Sequence, residues 1–133
     1  MKTKKQTIGM RGEKLAADIL KKSGLKIIDK NYRASHYEID LIARDKECVV
    51  FVEVKARSCE DPENMAYGRP ASAVTHSKQS FLINAARAYL RQNPELIGLR
   101  VRFDVIEIFF DNAAEVNDKK VIKTNHIKNA FGA

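Results

Sequence analysis

Residues 37–57 read YEIDLIARDKECVVFVEVKAR. Two apolar, β-branched runs flank the charged stretch ARDKEC, which predicts a β-hairpin with strands over 38–43 and 49–57. Strand side chains alternate between faces. Val50, Val52, Val54 and Ala56 therefore share one face, which must be core, while Phe51, Glu53, Lys55 and Arg57 share the other. On the first strand Ile39, Leu41 and Ala43 fall together, opposite Glu38, Asp40 and Ile42. A four-residue turn at 45–48 sets Asp40 opposite Glu53. A two-residue turn at 45–46 sets it opposite Phe51, with Glu53 on the diagonal. The Cβ separation is then about 5 Å or about 7–8 Å, and either lets two carboxylates hold one cation.

Like charges facing one another destabilise a sheet unless something offsets them. Lys55 alone could do so, leaving a solvated charged face. A hard divalent cation is the functional alternative. Mg²⁺ takes oxygen ligands, usually one or two carboxylates completed by waters and substrate phosphate. Lys55 would then orient a water, stabilise charge on a phosphate, or act as a base with lowered pKa.

The 133 residues suit one domain, 1–133, with enough chain for a core without disulfides or metal staples. Lys and Arg number 24 against 17 Asp and Glu, a net charge of +7 that favours an anionic partner, nucleic acid above all. The two cysteines, Cys48 and Cys59, have no metal-type spacing with His36, His76 or His126 and read as reduced cytoplasmic thiols. The basic start MKTKKQT has no apolar stretch after it, and VVFV and VIEIFF are too short to cross a bilayer, so neither export nor a membrane role is expected.

Outward from the hairpin, residues 10–23 carry Leu15, Ala16, Ile19 and Leu20 at helical spacing, stopped by Gly24. Residues 25–33 are strand-like. Residues 58–72 read as a long loop. Residues 75–91 form a second helix closed by Pro94, with Phe81, Leu82, Ala85, Ala86 and Tyr89 as its core stripe. Residues 99–110 alternate as a strand, KKVIKT reads as a short edge strand, and 1–8 and 125–133 read as frayed tails. The order is αβββαβ, an α/β class with a mixed sheet flanked by helices.

At EIDLIARD followed by VFVEVKAR the chain resembles the YraN-like family of small bacterial proteins. GMRGEKLAADIL, YGRPASAVTHSKQ and RFDVIEI extend the likeness over most of the length. The resemblance implies a restriction-endonuclease-like αβββαβ core, related to archaeal Holliday-junction resolvases. It implies Asp40, Glu53 and Lys55 as catalytic residues, with Asp40, Glu53, the Val54 carbonyl and Glu13 around Mg²⁺ or Mn²⁺. It also implies a polar residue on the second helix aimed at the site, Lys78 or Gln79. Resolvase likeness further suggests a homodimer, since two-fold enzymes suit symmetric junctions. Tyr37 departs from the Gly common in the family; it would either crowd the nucleic acid or stack on a base.

Arg57 suits a phosphate contact, as do Arg11, Arg33 and Arg69. Arg100, Arg102 and Asp104 share a strand face and would pair together. His36 adjoins the hairpin, Cys48 reads as a small core residue, and Glu60, Asp61 and Glu63 read as a solvated loop. The expectation is a metal-dependent endonuclease hydrolysing phosphodiester bonds in DNA, branched or otherwise structured. The alternative is a nucleic-acid-binding module of the same fold without useful catalysis.

Overall fold

The computed structural model describes residues 4–58, 74–111 and 120–132. Cys59, Arg69 and the acidic trio Glu60, Asp61 and Glu63 lie outside these residues. The elements are α1 (Lys4–Lys22), β1 (Lys26–Ala34), β2 (Tyr37–Arg44), β3 (Cys48–Ser58), α2 (His76–Gln92), a 3₁₀ turn (Pro94–Leu96), β4 (Arg100–Phe110) and β5 (Val121–Phe131). They make a mixed α/β architecture around a five-stranded sheet in the order β1-β2-β3-β4-β5. Among the described strands only the β3–β4 pair is parallel, and α2 lies in the connection between them.

Both faces of β3 are buried, one under each helix. Val50 and Val52, with Leu41, Ala43, Ile106 and Ile108, pack under Ala16, Ala17 and Leu20 of α1. Val49 and Phe51, with Ile42 and Val105, pack under Leu82, Ala85, Ala86 and Tyr89 of α2. The strand therefore reads as a near-continuous apolar run, as a doubly covered strand should. Cys48 belongs to the α1 side of the core and is a free thiol.

The hairpin takes the four-residue turn. Arg44 pairs with Val49, and the Asp45 carboxylate accepts the N–H groups of Glu47 and Cys48 at 2.7 and 2.8 Å. Helix α1 ends in a Schellman cap, with Leu25 N–H donating to Leu20 and Gly24, at φ 87°, donating to Lys21. Thr75 caps α2 by accepting from the Lys78 N–H. Gly12 is the contact point between α1 and β3: a Cβ there would sit 2.6 Å from the Ala56 Cβ.

Four expectations need correction. Helix α1 starts at Lys4, not residue 10, because its first turns are polar and give little apolar periodicity. The expected tail from 125 is instead the second half of β5, paired with β4 as far as Phe131. Ile39 packs with Ile42 toward α2, away from Leu41 and Ala43, so strict alternation breaks at Asp40. Phe81 is not core: it is 43% exposed and stacks on Tyr37.

Candidate metal centre

The break in β2 creates the site. Pairing between β2 and β3 runs from Arg44–Val49 to Leu41–Val52 and goes no further. Continued, the same register sets Asp40 level with Glu53. There Asp40 Oδ2 accepts the Val54 N–H at 2.8 Å, standing in for a ladder carbonyl. Across on β1, Lys30 pairs with Leu41 and Tyr32 with Ile39, so Asn31 falls level with Asp40. Asn31 is in the left-handed region at φ 51°, a conformation Asn tolerates better than most residues.

Glu13 of α1 reaches this point because Gly12 brings the helix against Ala56. One carboxylate oxygen from each of Glu13, Glu38 and Asp40 lies within 4.8 Å of the others. The Asn31 amide donates to Glu38 at 2.7 Å and to Glu13 at 3.1 Å, tying two of the three in place. Arg33, 73% exposed, adds a long contact of 3.5 Å to Glu38, of little energetic weight at that exposure.

Repulsion here is only partly offset. The Asp40 carboxyl is pushed up to about 7, by burial first and then by Glu53, Glu13 and Glu38, against the lowering effect of the Val54 N–H. Glu13 is also raised, chiefly by burial, with Glu38 and Glu53 adding and Asn31 opposing. An all-carboxylate donor set of this kind fits a hard cation such as Mg²⁺ or Mn²⁺.

Glu53 is handled differently. Its Oε1 meets the Lys78 ammonium at 2.5 Å and the Lys55 ammonium at 3.4 Å. Burial, joined by the neighbouring Lys78, lowers the Lys55 pKa in spite of Glu53. For Lys78 burial is outweighed by Glu53, and its pKa is raised. Glu13 and Lys55 both line a cleft of about 470 Å³ between α1 and the end of β3.

The structure thus brings Glu13 and Asp40 together, keeps Glu53 beside them but engaged by two lysines, and aims Lys78 at the site. Val54 contributes its N–H to Asp40. Arg57 is exposed at the end of β3. Gln79 turns away from the site, donating to the Val74 carbonyl at 2.8 Å. Arg11 packs over the Phe110 ring at 4.9 Å. His36 lies in the two-residue turn between β1 and β2. Sequence reasoning did not single out Glu38 or Asn31 for the site; the signal for Glu38 was its spacing of two from Asp40.

A second buried carboxylate lies elsewhere on the sheet. Asp104 takes Arg102 at 2.8 and 2.9 Å, His126 Nε2 at 2.7 Å and the Asn129 N–H at 2.9 Å. Burial would raise its pKa, but these partners hold it below the usual carboxylate range. Arg102 pairs with it as expected; His126 was not foreseen.

Known proteins give one consistent result. The chain is 46% identical over 105 residues to a UPF0102 protein of Chloroherpeton thalassium, covering 79% of this chain and 77% of that one. It is 40% identical over 131 residues to a UPF0102 protein of Clostridium perfringens, covering 98% of each. A UPF0102 protein of Caldanaerobacter subterraneus is 39% identical over 132 residues, again covering 98% of each. The family pattern matches residues 12–108, which span Glu13, the hairpin, Lys78 and β4 up to Ile108, and the chain belongs to the uncharacterised protein family UPF0102.

Proposed function

We propose that the chain is a metal-dependent nuclease acting on DNA, with the restriction-endonuclease-like site its family resemblance implies. The observation that supports this best is the convergence of Glu13, Glu38 and Asp40 beside the Glu53–Lys55 pair. These three carboxylates would hold Mg²⁺ or Mn²⁺, with Glu53 alongside as a further oxygen donor. A bound ion supplies Lewis-acid polarisation of a phosphate oxygen and neutralises developing charge.

The chain's own residues carry the rest. Asn31 fixes Glu13 and Glu38 so that the carboxylates need not reorganise. The Val54 N–H orients Asp40. Lys55 presents a cation to the cleft, where it would stabilise charge gathering on the phosphate. Lys78 holds Glu53 in place against Lys55. The +7 net charge favours the phosphate backbone over any one base sequence. The binding-module reading draws on one observation, the engagement of Glu53 by two ammonium groups.

A cleavage assay separates the two. Purified protein is mixed with a labelled four-way junction, a linear duplex and a single strand, each with Mg²⁺ or Mn²⁺. The nuclease reading predicts cutting, and a loss of about 10²–10³ in rate for Lys55→Ala, in kcat and kcat/KM alike, with DNA affinity nearly unchanged. Tight binding without cutting in any metal would assign the protein to the module class. Cutting that survives in both Lys55→Ala and Asp40→Asn would come from a contaminant and leave the assignment without support.

A further inference from the structure

Tyr37 and Phe81 stack face to face, with ring centroids 4.0 Å apart and planes 12° from parallel. The pair sits at the rim of the site by two routes along the chain. Tyr37 immediately precedes Glu38, one of the three clustered carboxylates. Phe81 is three residues beyond Lys78, on the same side of α2, and Lys78 pairs with Glu53. Core packing does not account for the pair. Phe81 is 43% exposed, and neither ring belongs to the two core clusters. Isolated exposed aromatics are common, but here two rings are held parallel, and one of them is exposed.

One cation adjoins the pair: Lys78, one helical turn from Phe81, reaches Glu53 on the same side of the sheet, whereas Arg33 lies on the opposite face with Glu38. A stacked aromatic pair beside a lysine, on a protein of net charge +7, matches a single strand, whose bases stack while its phosphates take the charge. Base pairs in a duplex are stacked on both sides and cannot offer a face laterally.

We propose that Tyr37 and Phe81 form a stacking platform for an unpaired nucleobase next to the metal centre. The protein would thereby select DNA with a single-stranded or splayed segment at the scissile phosphate. The proposal rests on the nucleic-acid reading above, deepens it by naming the substrate class, and does not require that the centre cut.

The test is fluorescence anisotropy in EDTA, where no cleavage occurs. The probes are a labelled thymidine 20-mer, an abasic strand of equal length and charge, and a 20-base-pair duplex. Wild-type protein should bind the 20-mer about tenfold or more tighter than the abasic strand. Phe81→Ala and Tyr37→Ala should lose that preference and keep duplex affinity within twofold. Phe81→Leu keeps apolar cover on the helix and should lose it as well, which excludes unfolding as the cause. Equal binding of the base-bearing and abasic strands by wild type would overturn the platform, whatever the cleavage assay shows. So would a parallel loss of single-strand and duplex affinity in the folded Phe81→Leu variant. A concentration-dependent dimer abolished by Phe81→Leu, with the strand preference intact, would assign the rings to a second copy of the chain. A strand preference without cleavage in any metal would keep the platform and remove the nuclease.

Discussion

Asp40 and Asp104 are carboxylates of one sheet in opposite surroundings. Asp104 has no exposed side-chain surface and is met by a guanidinium, an imidazole and a backbone N–H. Asp40 is half-buried, has one N–H donor among the described residues, and faces Glu13, Glu38 and Glu53. The first is a fully partnered joint that fastens β5 to β4. The second carries repulsion that the fold does not remove. That contrast, more than the count of acidic residues, is what supports the proposed role of Asp40.

Substitution should expose the difference most strongly at Asp104. Asp104→Ala leaves Arg102 and His126 without their buried partner and should cost about 3 kcal/mol, or roughly 10 °C in Tm for a chain of this size. If Asp104→Ala unfolds no more readily than wild type, the joint is not structural and the comparison breaks.

Gly12→Ala should come next. The added methyl meets Ala56 at 2.6 Å, and overpacking of this kind costs about 1–3 kcal/mol. Because the same contact carries Glu13 to the site, Mn²⁺ affinity should fall along with Tm. Unchanged metal affinity in a destabilised Gly12→Ala protein would separate Glu13 from the centre.

Asp40→Asn should act in the other direction. The amide oxygen still accepts from Val54 while one like charge disappears, so metal-free protein at pH 7.5 should gain about 1 kcal/mol. A loss as large as that of Asp104→Ala would make Asp40 another structural carboxylate.

The remaining effect is on pH dependence in EDTA. Asp40 is raised from its ordinary 3.8 to about 7. Between those limits the folded state holds a proton that the unfolded state lacks. Its contribution therefore makes stability fall as pH rises from about 4 to about 7. Asp104, lowered, contributes stability above its unfolded value that is lost as pH falls through its folded one. Denaturant midpoints should decline from pH 4 to 7 in wild type, with that component absent from Asp40→Asn. An identical profile in both proteins would show that Asp40 carries no strain.

Much of this was legible beforehand. The face shared by Val50, Val52, Val54 and Ala56 and the meeting of Glu53 with Lys55 follow from strand alternation alone, while alternation leaves the turn open between four residues at 45–48 and two at 45–46, and the Arg44–Val49 pairing decides it. The role of Lys78 came from family likeness, since nothing local says that a helical lysine reaches a strand 25 residues earlier. Glu38 was legible only as a residue two from Asp40 on the same face, and Asn31 was not legible because its left-handed conformation leaves no periodic signal. His126 was missed because β5, VIKTNHIKNAF, is an edge strand, largely polar and exposed. Phe81 fits the helical stripe as well as Leu82 does, and only the position of Tyr37 shows that it lies outside the core.

Calorimetric titration of EDTA-stripped, desalted protein with Mn²⁺ tests the central claim most directly, because it asks only whether Glu13, Glu38 and Asp40 act as one centre. The account predicts saturable binding to wild type that is lost in Asp40→Asn and strongly weakened in Glu38→Gln, with both variants folded. Isotherms that are the same in wild type and both variants, or no binding to wild type at all, would contradict it.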